Sequence, residues 1–503
     1  MPFRGRSPGR LVAGRRAAIL LGILVVAALT ITVGSLGSVE FPSIYPQQSS
    51  SAMTVPPLCL GSDWPTYLDG LARDSAAVGE RSLSPTSAPS LAELWNFSTG
   101  APVGASAAIV HGVVYIGSWN GDEYALNASS GGVLWKTPLG TDPNSTLPLG
   151  VTSSATVSVG SVFVGGGNAF FYVLNASNGH VRWKVNVGNT SQGYYPWSSP
   201  LVYGGFVYYG ISSGNDASVP GQLDQISLAS HRLVHVLNTT SNRSNGATIW
   251  TSPAVNAGTN TVFVTTGNPP PPNASLGESI LALNASTLVV RSSWAVPPSQ
   301  QTVDGDFGTT PLLLTTSTHV PLVVASNKNG ILYAWNQSNL SRGPVWNLTT
   351  ALPSPPAGSP ELGPVSFGGG RLYVGTSTAN VSGTLANGSV RAVSPTNGRT
   401  LWVDALTSGP VKGAPTYADG VVAFAAGTAF EVVNASNGHK LYSFVIPSKP
   451  KFWGYPSVSR GEIIVGNSLG EVYAFGLTSC AHSFGPAGMT RPAEPIAVNP
   501  SRH

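Results

Sequence analysis

The chain has 503 residues, only 9% of them charged, and a formal net charge of +4 at neutral pH. This length exceeds what one compact core usually holds, so it predicts several domains or a repeat architecture. Five arginines near the N-terminus supply much of the positive charge, and the absence of any other basic block argues against nucleic acid as a partner. The content of 59 Gly and 41 Pro is typical of an extracellular β-rich protein.

The first predicted element is the uncharged and mostly apolar segment 17–38, which follows those arginines. As a helix it would cross a hydrocarbon core of roughly 30 Å, and the positive flank would keep the N-terminus inside. The length of the segment favours a membrane anchor, whereas small residues near Gly37 would permit cleavage of a signal peptide. Either outcome predicts that the body is exported to the extracellular or periplasmic side.

The predicted domain organisation has four parts. Residues 1–38 form a basic cytoplasmic segment and the anchor, and residues 39–57 form a Pro/Ser linker. Residues 58–480 form the folded body, and residues 481–503 form a C-terminal tail.

Two cysteines, Cys59 and Cys480, stand near the two ends of the body. In an oxidising compartment they are the minimum for one disulfide, and we expect them to pair. The sequence contains no CxxCH haem motif and no Cys/His zinc cluster, so any redox chemistry would need a non-haem cofactor.

A repeated phrase occupies the body between Val113 and Phe475, shown most clearly by VYIGSWNGDEYALNASSGGVLW and VFVGGGNAFFYVLNASNGHVRW. Each copy predicts three or four short antiparallel strands that cannot bury both faces alone. Eight copies therefore predict an all-β, eight-bladed β-propeller. The eighth copy stops before its Trp, and residues 91–100, which carry Trp95, are expected to complete that blade and close the ring.

The phrase Asn-Ala-Ser recurs at Asn127, Asn175, Asn284 and Asn434. One interpretation is structural, because Asn suits the turn between two strands. The other is N-glycosylation, which would help a weakly charged surface stay soluble. Both interpretations stay open at this point.

The repeat resembles that of the pyrroloquinoline quinone (PQQ) repeat family, the eight-bladed quinoprotein dehydrogenases, and the overall pattern is similar to its polyvinyl-alcohol-dehydrogenase-like branch. The segment DWPTYLDGLARDSAAVG resembles the N-terminal entry segment of that family, and the resemblance extends from about Asp63 to Leu477. It implies PQQ and calcium as cofactors and hydride transfer from an alcohol as the reaction. The blades alone imply only the fold, because non-catalytic scaffold proteins also use them.

The resemblance implies a cofactor and metal site in the third and fourth repeats. In SSGNDASVPGQL, Ser213 and Gly214 match a cofactor-binding turn, and Asp216 stands where the family has a calcium-binding Glu. Trp250 matches the Trp that stacks on the cofactor, and Asn268 matches the metal-binding Asn of a Gly-Asn-Pro motif. The proline run after Asn268 cannot supply ladder donors and is expected to leave the sheet.

The next two motifs imply the catalytic residues. In VDGDFGTTPLL, Asp306 matches the catalytic base and a metal ligand, Asp304 is the competing candidate, and Gly305 stands in place of the family's Trp. Gly308 replaces an Asp of lanthanide-using relatives, which favours calcium. In ASNKNGILYAW, Lys328 matches a residue that donates hydrogen bonds to the quinone oxygens.

Three hypotheses for function remain. The first is an exported dehydrogenase that oxidises a small or polymeric alcohol, or a sugar hydroxyl, and passes electrons to a separate cytochrome, copper protein or quinone. The second is a non-catalytic propeller that acts as a cell-surface binding or scaffold protein, in which Trp250 is a core residue, Asn268 a turn residue and Asp216 an ordinary loop carboxylate. The third is a surface-layer or adhesion component.

Overall fold

The computed structural model describes residues 59, 61–145, 149–214, 219–241, 244–268, 276–302, 304–353, 363–446 and 451–480. The predicted membrane segment 17–38, the linker 39–57, the tail 481–503, the proline run after Asn268 and the metal ligand Asp216 lie outside these ranges. Within them, no helix is long and apolar enough to cross a membrane.

The described residues form eight radial antiparallel sheets, which confirms the all-β, eight-bladed propeller. The strand bounds follow in chain order. The first strand is β1 (Leu91–Ser98). Blade 1 has β2 (Ala108–Val110), β3 (Val113–Gly117), β4 (Asp122–Asn127) and β5 (Val133–Pro138). Blade 2 has β6 (Thr156–Ser158), β7 (Ser161–Gly165), β8 (Phe170–Asn175) and β9 (Val181–Asn186). Blade 3 has β10 (Tyr194–Tyr195), β11 (Leu201–Tyr203), β12 (Phe206–Ser213), β13 (Gln222–Ser227) and β14 (Arg232–Asn238). Blade 4 has β15 (Ala254–Asn256), β16 (Thr261–Thr265), β17 (Ser279–Asn284) and β18 (Val290–Ala295).

The remaining blades follow the same plan. Blade 5 has β19 (Leu312–Thr315), β20 (Pro321–Asn327), β21 (Ile331–Asn336) and β22 (Trp346–Thr349). Blade 6 has β23 (Ser366–Gly368), β24 (Arg371–Thr376), β27 (Gly388–Val393) and β28 (Thr400–Leu406), with the hairpin of β25 (Ala379–Val381) and β26 (Thr384–Ala386) inserted. Blade 7 has β29 (Thr416–Ala418), β30 (Val421–Ala426), β31 (Ala429–Asn434) and β32 (Lys440–Val445), and blade 8 has β33 (Ser457–Ser459), β34 (Glu462–Gly466) and β35 (Glu471–Leu477) together with β1. Short 3-10 helices span Ala88–Ser90, Thr190–Gln192, Pro298–Gln300, Leu340–Arg342 and Thr478–Cys480.

The strand order of each blade fixes which connections share one end of the propeller. The strands of a blade are antiparallel and follow one another from the inside outward. The connection from the second to the third strand and the connection to the next blade therefore lie at the same end, which we call the upper face. Two such connections follow β16 and β18, and their described parts are residues 266–268 and 276–278, and residues 296–302 and 304–311.

The ring closes where the sequence predicts. β1 pairs antiparallel with β35, and Trp95 lies opposite Ala474. The predicted disulfide joins Cys59 to Cys480, with their Cα atoms 5.5 Å apart. The first and last parts of the body are thus held together by a strand pairing and a covalent bond.

The Trp and the Asn-containing turn of the repeat join neighbouring blades. The indole nitrogen of Trp135 in blade 1 donates to the carbonyl of Ala176, next to Asn175 in blade 2, at 2.9 Å. Trp95, Trp346 and Trp402 donate in the same way to the next blade. A Cβ on Gly179 would lie 2.6 Å from the Trp135 ring, so the repeated Gly lets the indole pack against the turn. The repeat is therefore a pattern of contacts between blades.

The recurrent Asn residues stabilise these turns. The side-chain oxygen of Asn434 accepts hydrogen bonds from the backbone N–H and the hydroxyl of Ser436, at 2.9 and 2.7 Å. The same pair of bonds occurs at Asn127 and Asn175. The structural interpretation of Asn-Ala-Ser is confirmed by these bonds, and glycosylation stays a prediction.

The entry segment, residues 64–77, lies against the innermost strands. Its backbone bonds to Ile109, Val157, Val255, Leu313, Phe367 and Tyr417, each on the innermost strand of a different blade. Arg73 is fully buried in it and donates to the carbonyl oxygens of Pro253 and Pro200 at 2.9 and 3.1 Å. The segment covers strand edges that would otherwise carry unpaired backbone groups in the axial channel.

Candidate functional site

The upper part of the channel contains a cavity of about 190 Å³. Its aromatic walls are Trp119, Trp197, Trp250, Tyr67 and Tyr455, and its polar lining includes Thr152, Ser154, Ser199, Ser252 and Thr310. Tyr67 belongs to the entry segment, which thereby contributes to the wall. A cavity with broad aromatic faces and hydroxyl groups suits a flat ligand that carries oxygen atoms.

The hydroxyl groups occupy equivalent positions in successive blades. The backbone N–H of Ser106 donates to Ser154 Oγ, that of Ser154 to Ser199 Oγ, that of Ser199 to Ser252 Oγ and that of Ser252 to Thr310 Oγ1, over distances of 2.8 to 3.0 Å. Each hydroxyl oxygen acts as an acceptor in these bonds. Its own hydrogen is therefore available for a donation elsewhere.

Trp250 and Lys328 lie together at the blade 4 and blade 5 side of the cavity. The Lys328 Nζ lies 5.5 Å from the centre of the Trp250 ring, within the range of a cation–π contact. A Cβ on Gly308 would lie 3.5 Å from the Trp250 ring and 3.7 Å from Lys328 Cγ. The glycine thus leaves room beside both side chains.

Asp306 is paired with Lys328. Its carboxylate lies 2.8 Å from Lys328 Nζ, and Asp304 lies 3.0 Å from the same nitrogen. The other oxygen of Asp306 accepts the backbone N–H of Asn268. Burial lowers the pKa of Lys328, but the charges of Asp306 and Asp304 more than offset it, so the net pKa is raised and Lys328 stays charged.

Local backbone contacts explain this arrangement. A Cβ on Gly267 would lie 2.7 Å from Asp306 Oδ1, so only glycine lets the carboxylate approach here. The Lys328 N–H donates to the backbone carbonyl of Asp306 at 2.8 Å. Asn268 lies three residues beyond β16 and Lys328 directly follows β20, so both lie in upper-face turns.

Glu278 is a buried carboxyl that the sequence-based reasoning missed. Glu278 is 2% exposed, and its Oε1 has no hydrogen-bond partner in the described part of the chain. Burial, together with the charge of Asp306, raises the pKa of Glu278 to about 8. Its only sequence signal is a carboxylate directly before a strand in a chain that is poor in charge.

Ser213 and Gly214 lie on the Trp197 side of the cavity. The Trp197 indole donates to the Ser213 carbonyl at 2.8 Å, and a Cβ on Gly214 would lie 2.9 Å from Asp142 Oδ2. The structure therefore gathers Trp250, Asn268, Asp306 and Lys328 in one place. Ser213 and Gly214 lie elsewhere, behind Trp197, which lines the cavity. Asp142 is a further carboxylate that the sequence-based reasoning missed.

The oxygen atoms of this site are of the kinds that bind a hard cation. Carboxylate and amide oxygens are the ligands that calcium prefers, and Asp306, Glu278 and Asn268 supply both kinds from turns that are joined by hydrogen bonds. The unpartnered Oε1 of Glu278 leaves an acceptor unsatisfied there. Within the described ranges no three His, Cys, Asp or Glu side chains form a metal-binding group, so the set depends on the amide as well.

The fold and the repeat together define a propeller of PQQ-type repeats. The family model described as outer membrane protein assembly factor BamB, a PQQ-repeat model, matches residues 80–339 and 328–479. The chain therefore belongs to this PQQ-repeat family. No curated protein sequence matches it significantly.

Several solved structures have the same fold. The quinohemoprotein alcohol dehydrogenase from Comamonas testosteroni is 16% identical, with 86% of this chain and 82% of that chain covered and a TM-score of 0.65. A europium-containing methanol dehydrogenase is 15% identical, with coverage of 83% and 98% and a TM-score of 0.68. BamB from Moraxella catarrhalis is 14% identical, with coverage of 77% and 98% and a TM-score of 0.53. At these identities the likeness shows the fold alone.

Proposed function

We propose that the protein is an exported quinoprotein dehydrogenase that oxidises an alcohol or a sugar hydroxyl with bound PQQ and a hard divalent cation, calcium by resemblance. The observation that carries the proposal is the Asp306 carboxylate, which lies 2.8 Å from Lys328 Nζ. Lys328 in turn lies over Trp250, which lines the aromatic axial cavity. Oxidation of an alcohol by a bound quinone requires the protein to supply a base and a flat face for the cofactor. Here a buried carboxylate beside a lysine ammonium and an indole ring are available for these roles.

Each residue has a distinct part in this proposal. When bound, PQQ with its cation would supply the two-electron oxidising capacity that the reaction needs. Asp306 takes the hydroxyl proton, so the substrate leaves as an aldehyde or ketone. Lys328 orients the Asp306 carboxylate through its 2.8 Å contact. Trp250 offers the stacking face, and the turn of Ser213 and Gly214 supports Trp197, whose indole donates to the Ser213 carbonyl.

Electrons must leave to a separate acceptor, because the sequence contains no haem motif. We propose a cytochrome, a copper protein or a membrane quinone in that role.

Export through segment 17–38 would bring the enzyme to the compartment where such acceptors and a disulfide are found. The test is whether a membrane-impermeant protease removes the body from intact cells of the native host.

Reconstitution tests the proposed activity. The full chain, purified in detergent, would be incubated with PQQ and calcium, and then assayed for quinone absorbance and dye-linked oxidation of a panel of alcohols. We expect stoichiometric PQQ that survives gel filtration, and turnover that requires both additions. Failure to retain PQQ in the presence of calcium would reject the proposal.

The variant Asp306→Asn tests the proton acceptor. It keeps the shape and removes the base, so kcat should fall by roughly 10²- to 10⁴-fold while PQQ stays bound. Asp404→Asn, on β28 of blade 6, is the matched control and should keep full activity. Equal kcat for Asp306→Asn and wild type would assign the base to another residue, with Asp304 the first to examine.

A scaffold role is the second candidate, and the family match favours it, because the matching model is described as an assembly factor. In that case the axial side chains would serve stability only. Capture of a membrane-protein partner by the full chain, unchanged in Asp306→Asn and without retained PQQ, would support this role over catalysis.

A further inference from the structure

We propose that Glu278 supplies a carboxylate ligand to the divalent cation, together with Asp306 and Asn268. This inference rests on the proposed function for the presence of a cation. The position of Glu278 matches none of the motifs that implied the metal site, and the assignment comes from contacts within this chain.

The first observation is an unsatisfied acceptor in a closed environment. Glu278 is 2% exposed, and its Oε1 has no hydrogen-bond partner among the residues that the structure describes. A buried carboxylate oxygen without a partner is costly, and such atoms in folded proteins are paired or bind a metal. A cation or a hydrogen-bond donor at Oε1 would therefore stabilise the buried carboxylate.

The second observation is the space that Gly305 leaves. A Cβ at Gly305 would lie 1.8 Å from Glu278 Oε1, so the carboxyl occupies the volume of any larger residue at that position. The resembling family carries a Trp there, which could not coexist with this Glu278 conformation. Gly305 lies between Asp304 and Asp306, so its lack of a side chain brings the Glu278 carboxyl to the Asp306 loop.

The third observation is the backbone at Glu278. Its φ is +42°, a conformation that residues with a side chain seldom adopt. Its N–H donates to the carbonyl of Gly267 at 2.8 Å, which ties it to the turn that holds Asn268. The strained residue is thus held by the same turn that positions the other two proposed ligands.

The fourth observation is the local charge. The Lys328 ammonium already forms ion pairs with Asp306 and Asp304, at 2.8 and 3.0 Å. Glu278 also faces Tyr333, whose pKa burial and Glu278 both raise, and Asn327, which favours the ionised carboxylate. A divalent cation would neutralise the carboxylates of Glu278 and Asp306 together. The side-chain amide of Asn268 forms no hydrogen bond in the described chain, and its oxygen would be a neutral ligand.

Cation binding without turnover tests the assignment. The full chain in detergent would be titrated with terbium, whose emission is excited through nearby Trp250, and with calcium by calorimetry and by competition against terbium. We expect wild type to bind one ion and Glu278→Gln, which keeps the shape, to bind it roughly 10-fold or more weakly because a charged ligand is lost. Thermal unfolding would verify that the variant is folded.

Asp224→Asn is the matched control. Asp224 is 1% exposed, its Oδ1 also lacks a partner in the described chain, and burial raises its pKa to about 8, but it lies on β13 of blade 3. Its variant should bind the ion as wild type does. A general effect of removing a buried carboxyl would instead appear equally in both variants and would overturn the assignment.

The outcomes separate this inference from the proposed function. Equal calcium affinity for wild type and Glu278→Gln would overturn the role of Glu278 and leave the dehydrogenase proposal intact. A Glu278-dependent ion site in a protein that retains no PQQ would support the inference and reject the proposed function. Absence of any ion binding by wild type would overturn both.

Discussion

Lys328 shows how one residue can organise a site in a chain with few charges. It pairs with both Asp304 and Asp306 and lies over Trp250. Its side chain is 18% exposed and that of Asp306 is 12% exposed, so the pair is largely screened from solvent. In such surroundings the loss of one partner leaves a charge that neither water nor protein satisfies.

Lys328→Met should destabilise the protein, because the Asp306 carboxylate would lose its counterion. We expect a loss of about 2 to 3 kcal/mol, somewhat below the 3–5 kcal/mol found for fully buried pairs. Chemical denaturation at neutral pH measures the change. Lys136→Met is the control, since Lys136 is 59% exposed in its pair with Asp122, and a surface pair stabilises a protein much less than a buried one. Equal losses would contradict this account of the pair.

At the scale of the element, the contact between an outer-strand Trp and the turn of the next blade recurs around the ring. In blades 1 and 2 it involves Trp135, Ala176 and Gly179. The indole contributes a hydrogen bond and a ring face in a place where two sheets meet. Contacts of this kind fix the angle between blades, and hence the convergence of the upper-face turns on the axis.

Gly179→Ala tests this contact. Gly179 has φ +72°, and its Cβ would lie 2.6 Å from the Trp135 ring and from Thr137 Oγ1. Gly205 has φ +84° but no atom within 4 Å of a Cβ. Both alanine variants carry a backbone cost of about 1 kcal/mol, and overpacking should add about 1 to 3 kcal/mol at Gly179 alone. Unfolding free energies that are equal for the two variants would refute the packing role.

At the scale of the whole molecule, two features keep the ring closed. β1 completes blade 8 beside β35, and the Cys59–Cys480 bond joins residues 421 positions apart. The entry segment adds hydrogen bonds to the innermost strands of six blades. A propeller held at its closure keeps the axial side chains in register, since each blade contacts only its neighbours.

Removal of the disulfide should lower stability without changing the fold. The paired substitution Cys59→Ser and Cys480→Ser frees a very long loop in the unfolded chain, and the chain-entropy model gives a loss of up to about 6 kcal/mol. Equilibrium unfolding of the variant, compared with oxidised and reduced wild type, measures it. The variant and the reduced protein should agree. A midpoint that equals that of the oxidised protein would show that closure depends on the strand pairing alone.

Stability should also fall as pH rises from about 4.5 to 8. Burial raises the pKa of Glu462 to about 8, as it does for Asp224, while the unfolded chain loses these protons near pH 4 to 4.5. The folded state therefore holds protons that the unfolded state releases, and the stabilisation present at low pH is lost as pH rises through about 8. Urea unfolding between pH 5 and 9 should show a slope that Glu462→Gln reduces by roughly 1 kcal/mol per pH unit. An unchanged slope would contradict a buried protonated Glu462.

The eight blades and the closure by Trp95 could be predicted from the amino-acid pattern, because strand alternation and turn chemistry are local and recur in every repeat. The pairing of Cys59 with Cys480 could be predicted because the chain has two cysteines. The sequence also indicated Trp250, Asn268, Asp306 and Lys328, which follow motifs of a resembling family. The folded arrangement was needed to show that these four meet, that Asp306 pairs with Lys328, and that Glu278 reaches the same loop across Gly305. The reason is physical: such contacts join turns of different strands and blades, and their distances depend on how sheets pack around the axis rather than on any local pattern.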